Sequence, residues 1–99
     1  MNAKHTPGPW QYAFEGGTVA FIVESDGTTV AKLSVTENTT AHAALPANSR
    51  LIAAAPELLE ALQWMVYAFE PHASGSHENR ADALRTARKA ITKATEGAA

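Results

Sequence analysis

Apolar and polar positions alternate from Trp10 onward, with Trp10, Tyr12 and Phe14 on one side of the chain and Gln11 and Ala13 on the other. A two-residue period of this kind predicts a half-buried strand. Glu15-Gly16-Gly17 then reads as a turn. A second strand is predicted over 18–25, with Val19, Phe21 and Val23 on one face and Ala20 and Ile22 on the other. Asp26-Gly27 is a short-range hairpin signal, and 28–35 is rich in β-branched residues that suit a pleated surface. Together these predict a three-stranded antiparallel meander over about 9–35.

Beyond it the period changes. Residues 36–47 are polar and small, including Asn38, Thr39 and Thr40, and read as a crossing loop. Helical spacing is predicted from Asn48, whose side chain would cap the first turn. Leu51, Ala55, Leu58, Leu59, Leu62, Val66 and Phe69 keep one apolar stripe. Pro56 either kinks one long helix or opens a second one. Residues 70–77 read as a flexible connection, and a last helix is predicted over 78–95 with Ala81, Leu84, Ala87, Ile91 and Ala94 on its apolar face. Strands first and helices after predict an α+β fold, the meander followed by two or three helices packed on one face of it. The expected organisation is a single domain, residues 1–99, with its helical part over about 48–95.

Length and composition narrow the classes of function. A chain of 99 residues with 45% hydrophobic content can build one modest core, and small cores leave much surface uncovered, so self-association into a homo-oligomer is expected. The formal net charge of -2 argues against bulk nucleic acid as a partner, because sequence-independent phosphate binding needs an excess of cations. The absence of cysteine removes disulfides, thiolate nucleophiles and thiolate zinc sites, and fits a reducing compartment. The opening residues form no apolar leader and no apolar run is long enough to span a bilayer, so the cytoplasm is the expected location, with no membrane partner.

Candidate chemistry is sparse. The histidines, His5, His42, His72 and His77, show no spacing that would converge on zinc. No serine sits in a nucleophile-elbow context, and the glycines mark turns rather than a phosphate loop. No catalytic set, metal or cofactor is expected. Two stretches stand apart. In His5-Thr6-Pro7-Gly8-Pro9-Trp10, prolines and a glycine fix a tight segment that delivers an indole to the sheet. Trp10 either caps the core or, with His5 and Thr6 as a polar rim, offers a platform for a flat ring. In the stretch from Asn48 to Leu59, Arg50 is the lone cation among small and apolar neighbours, at an expected helix start that favours anions. Arg50 either clamps a phosphate or carboxylate or lays its stem on the sheet and pairs with Glu24 or Asp26.

These two stretches, His-Thr-Pro-Gly-Pro-Trp and Asn-Ser-Arg-Leu-Ile-Ala-Ala-Ala-Pro-Glu-Leu-Leu-Glu-Ala-Leu, with compatible strands between them, resemble a family of small phage and prophage proteins. Ser49 stands where that family often has alanine. The resemblance implies an accessory protein with no settled enzymatic activity, of a kind that acts against host defence. The function expected is therefore non-enzymatic: a homo-oligomeric sponge that sequesters a nucleotide immune second messenger, a cyclic oligonucleotide or related, through His5, Thr6, Trp10, Asn48 and Arg50. The alternative is an inhibitor or regulator that binds a host defence protein or a phage protein.

Overall fold

The computed structural model describes residues 5–69 and 77–96. Three strands, β1 (Trp10–Glu15), β2 (Val19–Glu24) and β3 (Thr29–Ser34), precede three helices, α1 (Thr40–Ala53), α2 (Ala55–Phe69) and α3 (His77–Glu96). The sheet has the order β1-β2-β3 and is antiparallel throughout, the meander that the alternation predicts. Register decides which face is the core. Tyr12 lies opposite Ile22 and Phe14 opposite Ala20, while Ile22 lies opposite Ala31 and Ala20 opposite Leu33, so these side chains share one face. Ala20 and Ile22 are fully buried there. The β2–β3 turn closes through the Gly27 amide donating to the Glu24 carbonyl at 2.9 Å, with Gly27 at φ 89°, a left-handed position that favours glycine.

The sheet's buried face is covered by α1, and this helix starts earlier than the sequence suggests. The Thr39 hydroxyl accepts the His42 amide at 3.1 Å and donates to the Thr36 carbonyl at 2.7 Å, which makes Thr39 the N-cap. The segment 40–47, expected to be a loop, is therefore helical, and Asn48 is an exposed mid-helix residue instead of a cap. Three alanines in the first turns, Ala41, Ala43 and Ala44, supply strong helix propensity, and the cap with burial of Leu45, Ser49 and Ala53 outweighs an interior proline, Pro46. Ser49 is fully buried yet satisfied, its hydroxyl donating to the Leu45 carbonyl at 2.7 Å. A small residue fills this fully buried position of α1.

Pro56 separates two helices. Ala54 (φ -86°, ψ -1°) ends α1 with its amide on the Arg50 carbonyl at 3.0 Å, and α2 begins at Ala55 with Pro56 in its first turn, where no intrahelical amide is needed. From this joint α2 and α3 run as an antiparallel pair, α3 also packing on α1. The two-layer arrangement thus belongs to the sheet and α1, and the α2–α3 hairpin extends from it, drawing the molecule out to 51 × 25 × 19 Å.

Much of the hairpin packs on a different face from the one its pattern predicts, although Ala94 of the expected α3 face is buried and Leu58 and Ala87 are half-buried. The buried residues of α2 include Ala61 and Ala68, and those of α3 are Ala83, Ala90 and Ala94. Leu51, Leu59, Leu62, Val66 and Phe69, expected to face the core, are 53%, 40%, 64%, 59% and 45% exposed, and Leu84 and Ile91 on α3 are 38% and 54% exposed. Small methyl groups let the two helices approach closely, and that contact competes successfully with the larger side chains for the interior. Glu57 in the first turn of α2 ties the pair together, its Oε2 accepting from Lys93 Nζ of α3 at 2.9 Å.

Candidate functional site where the N-terminal segment meets the helix joint

The stretch 5–10 folds back onto the start of α2. A Cβ placed on Gly8 would stand 2.8 Å from Pro56 Cβ and 3.1 Å from Pro56 Cγ, with Glu57 Oε2 at 3.8 Å. Only a glycine lets the backbone come this close to the proline ring. The Gly8–Pro9 peptide is cis, and Trp10 follows as the first residue of β1, paired with Glu24. Trp10 is half-buried on the face shared with Tyr12, and its indole Nε1 is buried without a protein hydrogen-bond partner. Glu57 Oε1 is in the same condition, although its other oxygen holds Lys93. An unpaired buried donor or acceptor costs about 1–3 kcal/mol, so a pair of them on segments packed against each other asks for a physical reason.

The five expected site residues are distributed unequally around this seat. His5 is exposed, with Nδ1 2.8 Å from the Thr6 carbonyl and its ring edge-on to Trp10 at 6.3 Å and 89°. Thr6 is half-buried beside them. Asn48 is exposed on α1. Arg50 is half-buried and stands in the last turn of α1, not at a helix start. The field that favours anions at an N-terminus is therefore absent there; a C-terminal turn favours the cation itself. Among the described residues the guanidinium has no acidic partner, so the expected pairing with Glu24 or Asp26 does not form. Asp26 instead accepts the Thr28 amide at 2.9 Å, which holds its carboxyl below the usual 3.8, with the Thr28 hydroxyl adding to the effect. The structure thus brings His5, Thr6 and Trp10 together and places Asn48 and Arg50 on the neighbouring helix.

The joint unites the two sequence stretches that stand apart, Gly8 of the first lying against Pro56 of the second. The family model for Salmonella phage P22 protein Y8K6 matches residues 1–99. The chain belongs to that family. No curated protein and no solved structure matches it. Family membership makes this a small phage-associated protein and leaves its chemistry to be read from its own residues.

Several participants at the seat carry no signal in the sequence. Pro56 and Glu57 look like ordinary helix-start residues, and Lys93 like one of several cations on a solvated face. Their roles come from Gly8 and from α3, both distant in the chain. The other cations of α3 do face solvent: Arg85 pairs with Asp82, and Arg85, Arg88, Lys89 and Thr92 line a shallow depression on the outer side of the helix. His42 has a local task, its Nδ1 accepting the Asn38 amide at 3.1 Å where Asn38 adopts φ 63°. His77 opens α3 and does not lie in a connecting loop, while His72 and residues 70–76 of the expected connection lie outside the described residues. Among the described residues no group of three or more His, Asp or Glu is gathered that could hold a metal ion, and no helix is long and apolar enough to cross a membrane.

Proposed function

We propose that this phage protein is a non-enzymatic binding protein that sequesters a small nucleotide-type ligand, a cyclic oligonucleotide or a related host immune signal, at the seat of the N-terminal segment on the α1–α2 joint. The observation that carries the reading is the buried, unpartnered donor and acceptor, Trp10 Nε1 and Glu57 Oε1, on the segments that Gly8 and Pro56 press together. A base edge presents the complementary acceptor and donor. The indole supplies a stacking surface worth roughly 1–3 kcal/mol per base, and Arg50, a half-buried cation with no acidic partner among the described residues, supplies a phosphate clamp. His5 and Thr6 form the polar rim.

The test is a thermal-shift panel of cyclic di- and oligonucleotides and adenosine-ribose derivatives, followed by mass spectrometry of the recovered ligand. A stabilising compound that is released intact, with affinity lost in Trp10→Ala and Arg50→Ala at unchanged helical content, supports sequestration. Chemically altered ligand would make the protein an enzyme, and no shift across the panel would end the nucleotide reading.

A further inference from the structure

Among the described residues the molecule hides its methyl groups and displays its larger apolar side chains. Eight of its ten buried hydrophobic residues are alanine, the others being Ile22 and Leu45. On α2 the outward residues Ala55, Leu59, Leu62, Val66 and Phe69 recur at alternating spacings of four and three, the a/d seam of a helical bundle. On α3 the residues Arg80, Leu84, Ala87 and Ile91 do the same. Both seams lie on one side of the hairpin, as the Arg80 guanidinium 5.5 Å from the Phe69 ring centre shows. The hairpin thus presents an open apolar face with the spacing of a bundle seam.

We propose that a second copy of this chain covers that face, in a two-fold dimer whose centre is an antiparallel four-helix bundle with α2 of each protomer over α3 of its partner. The inference is independent of the nucleotide reading and stands whether or not a ligand binds. Size fits a protein chain of this kind: at 1.5 Å per residue α2 is about 22 Å long, and two packed helices are ~20 Å across, so the face spans on the order of 450 Å² in projection and more in accessible area. That is the scale of the ~800 Å² per partner of a standard interface. Charge selects both the identity and the orientation of the occupant. α2 carries Glu57 and Glu60 and no basic residue, whereas α3 carries Arg80, Arg85, Arg88, Lys89 and Lys93 against Glu78, Asp82 and Glu96. Within the chain Glu57 is already held by Lys93 and Arg85 by Asp82, so laying α2 on α3 of a second copy sets Glu60 against the remaining cations Arg88 and Lys89, once from each protomer, whereas laying α2 on α2 sets like charges together. A two-fold axis parallel to the helices produces the favourable arrangement with both contacts closed, as an isologous interface requires.

The hairpin's own register fixes which residues meet. Glu57 is level with Lys93 and Phe69 with Arg80, so Val66 is level with Leu84, and Leu59 with Ile91. The axis carries Val66 onto the partner's Leu84. Light scattering on the full chain at tens of micromolar should then give twice the 10.5 kDa chain mass. Leu62→Lys/Val66→Lys, at positions already more than half exposed, should give a single-chain mass with unchanged helical circular dichroism. Because the chain has no cysteine, single-cysteine variants report the contact directly even if the lysine variant fails to fold. A mixture of Val66→Cys and Leu84→Cys should oxidise to a cross-linked dimer, and Val66→Cys alone should not. A monomer at every concentration, a dimer that persists in a folded lysine variant, or efficient cross-linking of Val66→Cys to itself would each overturn the proposal.

Discussion

Gly8 and Ser49 show how closely single residues are specified here. Gly8 sits against Pro56 with no room for a methyl group. Gly8→Ala should therefore force the N-terminal segment off the joint and lower stability by about 1–3 kcal/mol, the usual range for overpacking, measurable by urea denaturation. Ser49 is buried and its hydroxyl is bonded within its own helix. Ser49→Ala removes the donor without stranding a dedicated partner and should leave stability within about 1 kcal/mol, whereas Ser49→Leu should destabilise by about 1–3 kcal/mol. The resemblance of the two sequence stretches to a phage family includes Gly8, whereas Ser49 is where this chain departs from the pattern. Their reason is visible only in space, since Gly8 answers to Pro56 and Ser49 to the complete burial of its side of α1.

At the scale of elements, the strands were legible because their information is local. A two-residue period and glycines in the two turns specify the meander within a residue at either end. The start of α1 was not legible, since Asn38, Thr39, Thr40 and Pro46 read as loop residues until the Thr39 cap and the burial of Leu45 are seen to act together. Pro46 interrupts the helix ladder and is exposed, so Pro46→Ala should restore an amide for the His42 carbonyl and raise stability by about 1 kcal/mol or more, read as a higher denaturation midpoint. The phase of α2 was misread for a different reason. Its leucine stripe and its alanine face are both able to pack, and the preference of α3 for the alanines is a tertiary choice that hydrophobic periodicity does not contain. In the candidate site, Trp10 and its polar neighbours were legible as a motif, while the setting of Arg50 depended on a helix boundary and was lost with it. The β2–β3 turn adds a pH dependence. Asp26 has a folded pKa below 3.8, so its bond to Thr28 stabilises the fold fully above that value and is lost as pH falls through the folded pKa. Asp26→Ala should lower the melting temperature at neutral pH, and the gap from the parent chain should close in strong acid.

For the whole molecule, the elongated form follows from an α2–α3 hairpin that extends from the sheet and α1 with an apolar face exposed. If a second copy covers that face, stability and association are one equilibrium. The melting temperature should rise with protein concentration in the parent chain and be independent of it in Leu62→Lys/Val66→Lys, as calorimetry across a hundredfold dilution would reveal.

The joint at Ala54 has a mechanical consequence. The hairpin leaves the sheet and α1 at this joint, braced by α3 against α1, with Gly8 wedged against Pro56. Over the roughly 22 Å length of α2, a turn of about 5° at that wedge displaces the Phe69 end by ~2 Å, which is enough to bring seam residues into or out of register with another helix. A molecule lodged beside the wedge would act on a lever, and its binding and the pairing of hairpins would each strengthen or weaken the other by the same factor.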